Sequence, residues 1–146
     1  MRETVNERLT RLLKSISLQD IKPMSIHSDL LGEMPPSNNE INLGWKQAFA
    51  DGDPVIVNEG TRIFRPRYEI TVSFKGASIF QQVSVFFIVF HLLDVPVFEE
   101  LWKDDELSKV FREKQIQKTM WPFLRQHVHD GMSRLGINPL PLPWIL

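Results

Sequence analysis

Three side chains near the C-terminal end are the first candidates for chemistry. His127, His129 and Asp130 place two imidazoles and a carboxylate within about one helical turn. On a helix, His127 and Asp130 stand three apart and share a face, so they could help hold a metal ion or relay a proton. A metal centre needs a further ligand and outer partners that orient the rings, and the neighbouring sequence offers neither. Surface or interface histidines account for the pattern as well. Arg62, Arg65 and Arg67 form a short basic cluster. A phosphate site is conceivable there, but a solvated strand face is the preferred reading. Glu99-Glu100 and Asp104-Asp105-Glu106 fall where helices begin, and capping together with the helix dipole explains carboxylates at such places. His27 and His91 stand alone in strands and read as packed rather than reactive. No phosphate-cradling loop, dinucleotide fingerprint or nucleophile elbow is present. The chain therefore reads as a non-enzyme with no cofactor and no metal.

The composition narrows the class further. The sequence has 146 residues, 42% hydrophobic and 24% charged, with a net charge of −1. That is enough chain for one domain with a core. The near-neutral balance gives no general attraction to nucleic acid or anionic lipid. There is no cysteine, which excludes disulfides and thiol catalysis and fits a cytoplasmic location. The charged N-terminus does not read as a signal peptide. The one strongly apolar run is too short to span a membrane.

That apolar run, within residues 77–93, is the element the rest must serve. Residues 85–90 read VFFIVF, a strand signal rich in β-branched and aromatic side chains. Alternation puts Val83, Val85, Phe87 and Val89 on one face and Phe86, Ile88 and Phe90 on the other. Both faces are apolar, so both need cover. Residues 63–75 alternate cleanly, with Tyr68, Ile70, Val72 and Phe74 on one side and Arg67, Glu69, Thr71, Ser73 and Lys75 on the other. Lys75-Gly76 predicts a hairpin with Gly76 at positive φ. Residues 41–49 alternate with Ile41, Leu43, Trp45 and Phe49 on one face. Residues 19–27 predict a short strand, held to an edge or a bulge by Pro23, and 55–57 a short β extension. Pro35-Pro36 marks a loop.

Helices flank these strands. Val5, Leu9, Leu12, Leu13 and Ile16 form one stripe over residues 1–17. Pro96 suits a helix start, and Val97, Phe98, Leu101 and Trp102 follow at helical spacing. Asp104 predicts a cap for a helix carrying Leu107, Val110 and Phe111. Trp121-Pro122 predicts a break and a last helix to Leu135, with Leu124, Val128 and Met132 inward and Gly136 as its stop. Residues 138–146 (NPLPLPWIL) predict an extended tail that lays Leu140, Leu142, Trp144 and Ile145 on an apolar surface. Strands followed by helices predict a single α+β domain over 1–146: a four-stranded antiparallel sheet with C-terminal helices on one face, plus the N-terminal helix. Such a layer covers only one face of the 85–90 strand. The aromatic residues split accordingly. Phe74, Phe87 and Trp102 read as core, whereas Trp45, Phe49, Trp121 and Trp144 lie at breaks and edges that suit protein contact.

The C-terminal residues carry a resemblance. Trp121-Pro122-Phe123-Leu124-Arg125, Met132-Ser133-Arg134-Leu135-Gly136 and the run Leu140-Pro141-Leu142 resemble the end of SecB-type protein-export chaperones. The variants that accompany toxin–antitoxin modules, which share Trp-Pro-aromatic at this point, are similar too. The motif resemblance covers 121–142, and the order of elements extends it back to about Leu18. It implies a homotetramer built as a dimer of dimers that binds unfolded chains along apolar grooves without ATP. Carried onto this sequence, the client groove lies between Leu43, Trp45 and Phe49 on one strand and Trp121, Phe123, Leu124, Val128 and Met132 on the last helix. Oligomer contacts fall to Val85, Phe87, Val89, Val110 and Phe111. The implied partners are unfolded or precursor polypeptides, with a translocation motor or an antitoxin as further possibilities. The chain departs from the export chaperones in its near-neutral charge and its charged N-terminal helix, and both departures bear on the export role more than on chaperoning. The competing reading is a structural or adaptor subunit with one fixed protein partner.

Overall fold

In the computed structural model, residues 3–33 and 41–136 are described. The elements run α1 (Val5–Lys14), β1 (Ile16–Leu30), β2 (Asn42–Phe49), β3 (Val55–Asn58), β4 (Thr61–Phe64), β5 (Pro66–Phe74), β6 (Ala77–Leu92), α2 (Val95–Trp102), α3 (Asp105–Val110), a π-helical stretch over Phe111–Ile116, and α4 (Gln117–Arg134). The fold is α+β with an antiparallel sheet, as the sequence predicts. The strands number six rather than four, in the order β2-β5-β6-β4-β3, with β1 also paired to β6.

The extra strands have a local cause. The 63–75 run divides at Arg65, whose backbone N–H donates to Asp53 Oδ2 at 2.6 Å while its Nε donates to Oδ1 at 2.7 Å. A backbone donor taken by a carboxylate is lost to the ladder. Even so, pairing with β6 keeps one register from Thr61↔His91 through Arg67↔Val85 to Val72↔Phe80, and slips only between Val72 and Ser73. The short β extension is β3, paired with β4. β1 is longer than the short strand expected and runs through Pro23. Its partner among the described residues is β6, which leaves it an edge strand that tolerates a residue without an N–H.

Turn and cap chemistry follows the sequence closely. Lys75 and Gly76 both have positive φ (51° and 78°) at the β5–β6 hairpin, the pairing a type I′ turn requires. Asp94 accepts from Val97 N–H at the start of α2, and Asp104 accepts from Glu106 and Leu107 N–H at the start of α3. Gly136 ends the last helix at φ 75°. The expected break at Trp121-Pro122 does not occur, because Pro122 lies inside α4. The irregularity sits upstream instead, where the backbone widens into the π-helical stretch. The loop around Pro35-Pro36 and the 138–146 tail, with Trp144, lie outside the described residues.

The chain forms two compact units, one of Met1–Lys22, Phe49–Pro66 and Phe86–Thr119, the other of Pro23–Ala48, Arg67–Val85 and Met120–Leu146. The first has an aromatic core. Phe64 meets Phe49, Phe90, Trp102 and Phe111 at ring separations of 6.2, 5.8, 5.6 and 5.5 Å. Trp102 stacks on Phe98. α1 is capped by Thr4 and joined to α3 through the Arg8–Asp104 ion pair at 2.9 Å. In the second unit, Tyr68, Ile70, Val72 and Phe80 form a buried sheet face, and Met120, Leu124, Val128 and Met132 form the buried stripe of α4.

Candidate functional site

Apolar side chains stay partly open on both the strand Asn42–Phe49 and the helix α4. Leu43 and Trp45 are half-buried on alternate positions of β2. The Trp45 and Trp121 ring centroids are 6.2 Å apart with planes tilted by 51°. Trp121 is the sealed member of the pair at 3% exposure, whereas Phe123, two residues on, is 43% exposed. Tyr68 anchors the floor nearby, its hydroxyl donating to Gln47 Oε1 at 2.7 Å. Burial drives the Tyr68 phenol far above its ordinary pKa, so it stays a neutral donor.

This geometry redraws the groove. Leu124, Val128 and Met132 are fully buried within the chain's own fold. Their stripe faces the sheet, as the stripe of a surface helix must, and offers a client nothing while α4 is seated. Phe49 belongs to the other unit and packs edge-on against Phe64. Of the expected groove residues, those that stay partly open are Leu43 and Trp45 on β2 and Phe123 on the outer side of α4.

The expected oligomer contacts also divide. On β6, Phe86, Ile88 and Phe90 are buried while Val83, Val85, Phe87 and Val89 are half-buried, so one face of the strand is enclosed and the other stays partly open. In one unit Val85 stands opposite Arg67; in the other Val89 stands opposite Ile63. Phe87, read as core, lies on this half-open face. Phe111 is fully buried among Phe64, Phe90 and Trp102, which makes it a core residue instead of a contact. Val110 is half-buried.

The remaining polar candidates separate in space. Arg62 points into the covered face, where it donates to the carbonyls of Asn58, Glu59 and Thr61 and to Glu99 Oε1 at 3.0 Å. Arg65 holds Asp53, and Arg67 pairs with Glu69 at 3.2 Å. Each arginine is thus taken up by its own carbonyl or carboxylate partners. His129 lies 3.9 Å from Asp130, whose Oδ1 accepts from Gln126 Nε2. His27 and His91 are exposed, not packed, and His27 sits 3.1 Å from Asp29. Among the described residues no group of three or more His, Asp or Glu side chains is placed to hold a metal ion, and no helix is long and apolar enough to cross a membrane.

This α+β architecture is a SecB-like fold. One solved structure to which the chain is similar is the SecB-like chaperone Rv1957 of Mycobacterium tuberculosis, in complex with a ChAD peptide from the antitoxin Rv1956 HigA1. The match has a TM-score of 0.72 and 16% sequence identity, and covers 97% of this chain and 98% of that one. No protein-family model matches the chain, and no curated protein matches it in sequence.

Proposed function

We propose that this protein is an ATP-independent chaperone of the holdase kind, which binds unfolded or precursor polypeptides and shields a particular client, such as an antitoxin, in the cytoplasm. The observation that carries this reading is that apolar side chains stay partly open on β2 (Leu43, Trp45) and on α4 (Phe123), within a fold like that of a chaperone solved with an antitoxin peptide. Each large side chain buried by a client contributes roughly 1.5–3 kcal/mol before ordering costs. Several contacts must engage together, which suits a long flexible chain better than a compact ligand. The half-buried Phe87 and Val89 support assembly into a homo-oligomer, a dimer of dimers by resemblance.

The test is suppression of aggregation of a chemically unfolded model protein without nucleotide. The wild-type chain should suppress it in proportion to its concentration, and the Trp45→Ala/Phe123→Ala variant should do so several-fold less well. Equal suppression by both would remove this surface from the reading; no suppression by either would remove the holdase activity itself.

A further inference from the structure

We propose that Gln82 is a binding residue for the main chain of a captured polypeptide, and that it is uncovered when the C-terminal part of α4 lifts off the sheet. This deepens the chaperone reading and rests on it.

The covered face of the sheet beneath α4 is apolar at Tyr68, Ile70, Val72 and Phe80, yet β6 interrupts it with Gln82 and Ser84, each 1% exposed. Gln82 stands opposite Ile70 in the ladder. Its Oε1 accepts from Ser28 Oγ at 2.8 Å. Its Nε2 is buried and has no hydrogen-bond partner among the described residues. Gly131 of α4 rests on this amide: a Cβ there would overlap Gln82 Oε1 and come within 2.6 Å of Ser28 Oγ. The helix thus sits so close that a side chain at position 131 would force Gln82 or Ser28 to shift, and it seals a donor that has no acceptor. Burying such a donor opposes closure.

The covering segment also has weak points of its own. Pro122 has no N–H to return to the carbonyl four residues earlier, that of Lys118. Gly131 is a poor helix former in the same stretch. A helix portion that follows a proline, contains a glycine and rests on an unsatisfied amide is poised to open. Once open, Gln82 presents an N–H to whatever enters. A polypeptide brings a carbonyl at every residue whatever its side chains, so this donor suits a ligand recognised by backbone more than by sequence.

The experiment uses the full chain. Hydrogen–deuterium exchange followed by mass spectrometry, without client, should show the amides of residues 123–134 exchanging about tenfold more slowly in Gln82→Met, which removes the sealed donor. The same amides should exchange faster in Gly131→Ala, whose new methyl meets the amide. Unchanged exchange in both variants overturns the opening helix. Binding of an unfolded model protein should then weaken about tenfold in Gln82→Met, and unchanged affinity overturns the backbone contact. A wild-type chain that binds no unfolded protein would overturn the chaperone reading and the contact together, while exchange still decides the opening on its own.

Discussion

Trp45 and Trp121 face each other at 6.2 Å across the joint between β2 and α4, one half-open and the other sealed. The pair is asymmetric: Trp121 is enclosed between helix and sheet, whereas part of the Trp45 ring stays open to solvent. Single substitutions at the two positions should behave differently.

Trp121→Ala should act on stability first. Truncating a buried Trp costs about 3–5 kcal/mol, which for a chain of this size lowers Tm by roughly 10 °C or more. Differential scanning calorimetry checks this. Trp45→Ala should cost clearly less, because part of that surface is already in contact with water.

Phe123→Ser is the cleanest surface test. The ring is largely exposed, so the substitution should change folding stability by no more than about 0.5 kcal/mol. It should nevertheless weaken capture of an unfolded protein, measured by titration against a labelled unfolded chain. A loss of stability without a loss of binding would contradict the assignment.

Arg62 and Glu99 form an asymmetric pair. Arg62 is buried and bound to three carbonyls as well as to Glu99, which is itself mostly exposed. Arg62→Ala removes the donor from all of them and should destabilise by about 2–4 kcal/mol. Glu99→Gln loses one solvent-screened contact and should cost under about 1 kcal/mol. Urea unfolding of both variants separates the two.

Tyr68 sets an alkaline limit. Burial raises its folded-state pKa above the unfolded value of about 10. The native state therefore keeps the phenol proton where the unfolded chain gives it up. The stabilisation is complete below about pH 10 and is lost progressively as pH rises above it. Tyr68 is the only tyrosine in the sequence, so tyrosinate absorbance reports it alone. That absorbance should appear together with unfolding, above the pH expected for a free phenol. Tyr68→Phe should lose this component of alkaline sensitivity.

Much of this architecture was legible before any coordinates. Alternation over 63–75 and 77–93 predicted which side chains share a face, and Tyr68, Ile70, Val72 on one strand and Phe86, Ile88 and Phe90 on the other are buried together as sets. Asp94, Asp104, Gly76 and Gly136 were readable as caps and turns because their effect is made within a few residues of chain. Period and local backbone chemistry are properties of neighbours in sequence, so the sequence by itself determined most element types, which side chains share a face of the central strand, and the α+β class.

What the tertiary structure decided depends on partners distant in the chain. Asp53, twelve residues away, takes the Arg65 backbone donor and splits one expected strand in two. Gly131 shows its purpose only once α4 is set on Gln82 and Ser28. The division of the candidate groove, with Trp45 and Phe123 open but Leu124, Val128 and Met132 sealed, follows from how closely the helix sits on the sheet. Periodicity tells which side chains share a stripe. How far that stripe is pressed into its neighbour is set by close packing between remote segments, and a one-dimensional pattern carries no measure of that distance.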